Sequence, residues 1–206
     1  MTVIVDYGLG NLGSIFNMLK KIGVHAVISS ETEKVRQADR IILPGVGSFD
    51  AGIRNLRLSG LEAALSEKVL NERTPLLGIC LGMQLLADGS EEGDLDGLKY
   101  VGGFVRKFRF GDNPNQLKIP HMGWNRVIPK RECDLFKNMP QEMRFYFVHS
   151  YHFVCDREED VIAETDYGYQ FTSMVSKGNI YGAQFHPEKS HKFGMMLLRN
   201  FTEIRC

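Results

Sequence analysis

The residues most able to do chemistry lie in the Gly-Ile-Cys-Leu-Gly segment at 78–82. An apolar run at 76–79 predicts a buried strand that leads straight into this segment. The two glycines permit a sharp, crowded turn that holds the middle residue in a strained, exposed position. A helix that starts there would favour the reactive thiolate form of the cysteine. We therefore predict that Cys80 is a nucleophile and not merely a small buried side chain.

A thiolate nucleophile needs a base, and one of the six histidines is well placed to be that base. His186 follows a predicted strand at 180–185, and the active sites of open α/β sheets gather at strand ends. Pro187 biases His186 towards extended geometry, in which residues two apart point to the same side. Glu188 can then reach the same cleft and orient the imidazole. The spacing predicts that Cys80, His186 and Glu188 act together.

A glycine-rich turn, Pro44-Gly45-Val46-Gly47, follows another predicted strand at 41–43. Such a turn leaves backbone N–H groups free, and these can face the negative charge that develops on an attacked carbonyl oxygen. The same residue types are equally expected in a plain turn. At this point both interpretations stay open.

Histidines could instead hold a metal ion, and His149 and His152 are the pair to consider. They lie three apart in a segment predicted as a strand, where they would face opposite sides. No cysteine or acidic residue follows at ligand spacing in the sequence. We therefore expect no metal and no other cofactor.

The elements that must position these residues alternate between strand and helix in the first half. Apolar periodicity predicts strands at 3–5, 24–28, 41–43 and 76–79, and helices at 12–22, 31–38, 50–70 (in pieces around Gly60) and from about residue 82. Strand-helix alternation of this kind predicts a parallel sheet that is covered on both faces.

The second half changes character and is rich in strands. These are predicted at 101–110, 124–129, 144–153, 161–165, 171–176 and 180–185, before a last helix at 191–203. The sequence shows neither repeats nor a low-complexity linker. We expect one domain over residues 1–206, with an antiparallel portion added to the parallel sheet.

The composition of the chain bears on which partners and which compartment to expect. The 206 residues carry 25 basic and 25 acidic side chains, which gives no electrostatic reason to expect nucleic acid or an anionic membrane as a partner. The longest apolar stretch, 75–87, is too short to span a bilayer, and the N-terminus does not read as a signal peptide. Four scattered cysteines fit a reducing cytoplasm, and we expect Cys133, Cys155 and Cys206 to be inert.

Taken together, the motifs resemble those of the class I, triad-type glutamine amidotransferases. Within that family the likeness is greatest to the subfamily of glutaminase subunits of imidazole glycerol phosphate synthases, and it covers nearly the whole chain. The segments that carry it are DYGLGNL at 6–12, LPGVGSF at 43–49, GICLGMQLL at 78–86, PHMGWN at 120–125, YFVHSY at 146–151 and QFHPEKS at 184–190. The resemblance implies an α/β, flavodoxin-like, three-layer fold with a mostly parallel sheet and an added antiparallel portion.

The resemblance also implies roles for individual residues. Cys80, His186 and Glu188 would form the catalytic triad, and Val46 and Leu81 would supply oxyanion N–H groups after a flip of the Gly45–Val46 peptide. The L-glutamine pocket would be lined by Gly47, Gln84, His149, Ser150 and Tyr151. A (β/α)₈-barrel synthase subunit, bound as the other half of a heterodimer, would receive the ammonia and would contact Asn11, Met122, Trp124, Tyr146 and Lys189. For Trp124, a role in core packing is the alternative.

Three alternatives remain at this stage. The segments at 168–173 and 190–194 look more like paralogues encoded in surface-polysaccharide clusters, which supply nitrogen for an amidino sugar; this leaves the ammonia acceptor open. A cysteine elbow could also belong to a redox-sensing or stress protein, although such a protein needs no glutamine pocket. A catalytically dead scaffold is the third alternative, and the intact triad argues against it.

Overall fold

The computed structural model describes residues 1–111 and 117–204, and its N-terminal half alternates strands with helices. Continuous apolar runs form the buried strands, and apolar stripes such as Ile15 and Leu19 form the inner faces of helices. The elements are β1 (Thr2–Val5), α1 (Leu12–Lys21), β2 (Ala26–Ser29), α2 (Thr32–Arg36), β3 (Arg40–Gly45), α3 (Phe49–Leu58), α4 (Leu61–Ser66), β4 (Leu76–Cys80) and α5 (Leu81–Gln84).

The C-terminal half consists mainly of strands and ends in a helix. Its elements are β5 (Gly89–Ser90), β6 (Gly103–Lys107), β7 (His121–Pro129), β8 (Met143–His149), β9 (Tyr151–Cys155), β10 (Val161–Asp166), β11 (Gln170–Lys177), β12 (Ile180–Ala183) and α6 (His191–Glu203). The last helix has the bounds that the sequence predicts, whereas several strands are shorter.

The main path of the sheet runs in the order β2-β1-β3-β4-β12-β11-β10-β7-β8. The first five of these strands are parallel, and from β11 onward each pair along this path is antiparallel. A parallel sheet in this order has the flavodoxin-like arrangement, in which ligands bind beyond the carboxyl ends of the strands. The predicted fold class, mostly parallel with an added antiparallel portion, is confirmed.

Apolar side chains of the central strands point alternately to two cores, one on each face of the sheet. Val3 and Val5 pack with α2, α3 and α4, whereas Ile4 packs with α1 and α6. The result is three layers, with helices covering both faces. Across residues 1–111 and 117–204, no helix combines the length and the apolar character needed to cross a membrane.

Ser150 interrupts the strand that the sequence predicts at 144–153. β8 ends before it and pairs with β7, whereas β9 begins after it and pairs with β6 and β11. As a result, the rings of His149 and His152 both contact Phe108 in one buried aromatic cluster. The expectation that these histidines face opposite sides is wrong, because alternation holds only within an unbroken strand.

Asn179 holds together the starts of the two central strands β4 and β12. Its side-chain N–H groups donate to the backbone carbonyls of Val69 and Thr74 at 2.9 and 2.8 Å. Its backbone carbonyl accepts a hydrogen bond from the N–H of Leu76 at 3.0 Å. The residue is buried. This small network therefore sets where β4 begins, and β4 carries Cys80.

We expect Asn179→Ala to lower the free energy of unfolding by about 2–4 kcal/mol, because two buried carbonyls lose their donor. Urea denaturation followed by circular dichroism measures this change. Asn17→Ala, at an exposed position in α1, is the matched control and should change stability by less than about 0.5 kcal/mol. Equal stability of the two variants would show that the network does not hold the strands.

Candidate active site

Cys80 ends β4 with φ +54° and ψ −109°, a conformation that residues with a side chain rarely adopt. The strand therefore turns sharply at this residue, as the sequence predicts, but Cys80 is buried and not exposed as predicted, because neighbouring elements pack around the turn. The helix that follows, α5, starts at Leu81, close to the predicted residue 82, and is a single turn. Any stabilisation of a thiolate by the helix dipole is correspondingly small.

Two glycines make the turn at Cys80 sterically feasible. A Cβ atom on Gly82 would collide with the backbone carbonyl of Leu43 in β3, and a Cβ atom on Gly78 would collide with the backbone of Gly82. The first turn of α5 therefore lies directly against the backbone of β3. Because backbone atoms cannot move aside as a flexible side chain can, glycine is required at both positions.

The glycine-rich turn at 44–47 lies beside this junction. Its Gly45 is enclosed by the Tyr7 hydroxyl, which donates a hydrogen bond to the carbonyl of Pro44 at 2.6 Å. Gly47 has φ +110°, whereas Val46 is an exposed apolar residue. The turn thus has one fixed side, at Tyr7, and one side that faces out of the protein.

His186 and Glu188 form a buried pair. Nδ1 of His186 lies 2.8 Å from Oε1 of Glu188, and their side chains are 2% and 1% exposed. His186 itself is extended, as predicted, but the chain then forms a short 3-10 turn, Pro187–Lys189, so the two side chains meet across this turn and not along an extended segment. The backbone N–H of His186 donates to the carbonyl of Tyr146 at 2.9 Å, so β8 anchors the pair.

The charge state of His186 follows from its neighbours. Burial alone would lower the pKa of His186, but interactions with Cys80 and Glu188 outweigh burial and raise the pKa to about 10. Since Glu188 engages Nδ1, it is Nε2 that remains for the thiol, and no other described residue hydrogen-bonds it. At neutral pH the imidazole is therefore charged and can pair with a thiolate.

Cys80 and His186 line a cavity of about 360 Å³, at the small end of the range for ligand sites, whereas Glu188 does not reach its wall. The sequence-predicted residues on its wall are Val46, Gly47, Cys80, Leu81, Gln84, His149, Ser150, Tyr151, His186 and Lys189. Glu92, Pro120 and Val148 also line it, and sequence reasoning missed them. The side chain of Glu92 accepts a hydrogen bond from the backbone N–H of Phe49 at 2.8 Å. The two residues are 43 apart in the sequence, so no local pattern predicts this contact.

A chain of hydrogen bonds fixes the ring of His149 on the cavity wall. Its Nδ1 donates to the Tyr151 carbonyl at 2.7 Å, and its Nε2 accepts from Nδ1 of His121 at 3.0 Å. Asn125 completes the chain at His121 Nε2, at 3.2 Å. Burial lowers the pKa of His121 to about 4 and that of His149 to about 3, so both rings are neutral and each has one defined tautomer.

The predicted partner-facing residues form an exposed cluster beside the cavity. Trp124 is 45% exposed and stacks on His191, with ring centroids 5.5 Å apart. Lys189 Nζ lies 5.6 Å from the centre of the Tyr146 ring, and Met122 is 61% exposed. The exposure of Trp124 argues against the core-packing alternative. Asn11, also predicted for this surface, is half-buried at the start of α1.

The remaining cysteines have different surroundings. Burial raises the pKa of Cys133, and burial together with nearby Asp160 and Asp156 raises the pKa of Cys155 to about 12. Both thiols therefore stay protonated and weakly reactive. Cys133 lines a larger surface depression of about 890 Å³, which contains neither Cys80 nor His186. Cys206 lies outside the described residues.

The doubly wound sheet, with a cysteine turn at the end of its fourth strand, defines a class of α/β enzymes built around a strand–turn–helix elbow. The glutamine amidotransferase class-I family matches residues 3–204, and the chain belongs to that family. A crystal structure titled as a glutamine amidotransferase has a TM-score of 0.76 at 21% identity, covering 98% of this chain and 97% of the other. At that identity the likeness supports the fold alone.

Two relatives resemble the chain over almost its full length. An imidazole glycerol phosphate synthase subunit HisH 2 of Methanococcus maripaludis is 53% identical, covering 98% of this chain and 99% of the relative. A protein of the same name from Pseudomonas aeruginosa is 47% identical, covering 99% and 100%.

We expect Gly82→Ala to destabilise the protein by about 3 kcal/mol, because the new methyl group meets a backbone carbonyl that cannot yield. The alkylation rate of Cys80 by iodoacetamide should fall as well, since the turn that presents the thiol is displaced. Chemical denaturation and mass spectrometry measure the two effects.

Gly13→Ala, within α1, is the matched control. Among the described residues nothing lies within 4 Å of the added methyl group, so this variant should gain about 0.5–1 kcal/mol in stability. A stable Gly82→Ala protein with unchanged alkylation would contradict the steric requirement at the junction.

Proposed function

We propose that the chain is the glutaminase subunit of an imidazole glycerol phosphate synthase, which releases ammonia from L-glutamine for histidine biosynthesis. The observation that carries the proposal is that Cys80 and His186 line one cavity while the buried Glu188 holds the ring of His186 from behind. The names of the two relatives described above support the same pathway.

In this proposal glutamine binds with its carboxamide over Cys80. The residues that would hold it are Gly47, Gln84, His149, Ser150 and Tyr151, all on the cavity wall. The thiolate attacks the carboxamide carbon, and the resulting oxyanion is stabilised by the backbone N–H groups of Val46 and Leu81. The Gly45–Val46 peptide turns to complete this pair of donors.

His186 moves the protons in both half-reactions. The imidazolium gives a proton to the nitrogen as the C–N bond breaks, so ammonia leaves and a glutamyl thioester remains on Cys80. The neutral imidazole then takes a proton from water, whose oxygen attacks the thioester. Glutamate departs and the thiolate is restored. Glu188 orients the ring and stabilises its charged form.

The ammonia must reach its acceptor without meeting bulk water, where it would be protonated. We propose that a (β/α)₈-barrel synthase subunit seals the exit by binding the surface formed by the exposed Met122, Trp124 and Lys189 and the half-buried Asn11 and Tyr146. Exposed aromatic and long side chains beside a cavity are typical of such contact surfaces. The two subunits would form a heterodimer in the cytoplasm, and residues 1–206 would be one domain.

Complementation of a histidine auxotroph lacking this subunit tests the pathway. With a cognate barrel subunit, the chain should restore growth without histidine, and the Cys80→Ala variant should not. Growth failure by a protein that still forms a glutamyl thioester would leave the glutaminase chemistry but reject the acceptor. The names of the two relatives give no support to the polysaccharide alternative.

The triad assignment predicts a graded loss of activity. We expect Cys80→Ala and His186→Ala each to reduce kcat for glutamine hydrolysis by about 10⁴-fold or more, and Glu188→Gln to reduce it less, since an orienting group generally matters less than the base. Steady-state kinetics with the partner present measure this series. Cys133→Ala, which also removes a thiol, should keep full activity. Full hydrolysis by folded Cys80→Ala would remove Cys80 from the mechanism.

The glycine-rich turn predicts activation by the partner. Val46 stands where a glycine would turn its peptide freely, because only glycine visits positive φ at little cost. We therefore expect low glutaminase activity in the isolated chain and a large increase with barrel subunit and acceptor. A shift from about 1% to 99% of the competent turn requires roughly 5.5 kcal/mol of differential affinity.

Glutaminase kinetics of the chain alone, with partner, and with partner plus acceptor measure this activation. A Val46→Gly variant should raise the activity of the isolated chain, because the peptide then turns more easily. Full turnover by the wild-type chain without a partner would eliminate both the gated turn and the need for the barrel.

A further inference from the structure

We propose that Gln184 is a further catalytic residue, whose side-chain amide donates a hydrogen bond to the sulfur of Cys80 and stabilises the thiolate. Nε2 of Gln184 lies 3.9 Å from Sγ of Cys80, and Gln184 is fully buried. The inference rests on Cys80 being the nucleophile of the proposed function. Gln184 does not line the substrate cavity, so it acts on the sulfur and not on glutamine.

The orientation of the Gln184 amide follows from that of its neighbour Gln84, which is set by a backbone carbonyl. The carbonyl oxygen of Tyr151 only accepts hydrogen bonds, and Nε2 of Gln84 lies 3.1 Å from it. With the amide of Gln84 reversed, two oxygens would face each other there. Gln84 must therefore present its NH₂ group on this side, where it also lies 3.0 Å from Oε1 of Gln184.

The same reasoning then applies to Gln184. Its Oε1 accepts from Gln84, so its Nε2 is the atom that faces Cys80, and that atom can only donate. His149 supports the arrangement from the other side, because its Nδ1–H donates to the same Tyr151 carbonyl at 2.7 Å. A run of hydrogen bonds with one defined direction thus ends at the nucleophile.

Backbone geometry brings the donor and the base to the same sulfur. Gln184 and His186 lie two apart just after β12, where the chain bends at residues 184 and 185. Both side chains interact with Cys80. The N–H of Gln184 donates to the carbonyl of Ser173 at 2.9 Å, which fixes its position. A neutral donor stabilises the thiolate without adding a second positive charge beside His186.

The pH dependence of Cys80 alkylation by iodoacetamide, measured on the full chain by mass spectrometry, tests the proposal. Gln184→Met keeps the approximate shape without the donor, and its alkylation midpoint should rise by about one pH unit. In Gln184→Glu the midpoint should rise further, because an ionised carboxylate repels the thiolate. With partner present, kcat for glutamine hydrolysis should fall about tenfold in Gln184→Met, with KM nearly unchanged.

Ser173→Ala is the matched control. Ser173 is fully buried beside Gln184, and its hydroxyl has no hydrogen-bond partner in the described part of the chain. This variant should keep the wild-type alkylation midpoint. An unchanged midpoint in folded Gln184→Met would overturn the proposal, as would a Ser173→Ala shift of the same size, which would indicate a general effect of core packing.

A measurement on the wild-type side chain keeps the test independent of variant folding. In an NMR pH titration, the side-chain amide resonance of Gln184 should change its chemical shift around the same pH as the midpoint of Cys80 alkylation. In Cys80→Ala the chemical shift should stay constant over this pH range. A constant resonance in both proteins would overturn the proposal. Glutamine hydrolysis that persists without Cys80 would instead reject the proposed function, and the alkylation profile would still decide the role of Gln184.

Discussion

The close contact between the backbone of β3 and the first turn of α5 is the constraint on which the site depends. Gly82 lies against the carbonyl of Leu43, and Gly78 lies against the backbone of Gly82. At this separation the chain can leave β4 only through the strained conformation of Cys80. The buried parallel sheet, with helices on both faces, keeps the two strands in register and so offsets the cost of that strain.

The antiparallel portion supplies what the parallel half lacks. A cysteine turn alone would present a thiol without a base, a pocket wall or a surface for a partner. β8 anchors the backbone of His186 through Tyr146, and the break at Ser150 turns His149 and Tyr151 towards the cavity. The exposed Trp124 and Met122 lie on β7, which pairs with β8. The cavity wall and the exposed surface are therefore built from one set of paired strands.

The sequence allowed the elbow, the His186–Glu188 pair and the mixed α/β fold to be predicted, because each depends on short-range spacing or periodicity. The break at Ser150 could not be predicted, since the surrounding residues favour strand continuously and only pairing with different neighbours separates β8 from β9. The position of Glu92 on the cavity wall could not be predicted for a related reason, nor could the contact between Gln84 and Gln184, which are 100 residues apart. Hydrogen bonds between residues far apart in the sequence produce no periodic pattern of residue types from which they could be predicted.

The position of β12 has a consequence for how the protein is made. Among the described residues it is the last strand in chain order, yet it lies at the centre of the sheet, between β4 and β11. During synthesis from the N-terminus, this edge of β4 therefore stays unpaired until residues 180–183 have left the ribosome, and an unpaired edge can join to other chains. Throughout that interval a nascent polypeptide carries Cys80 but not His186. With the triad proposed above, amide cleavage would therefore begin only after His186 has been made and β12 has paired, and a shorter nascent chain would lack the base needed to release ammonia.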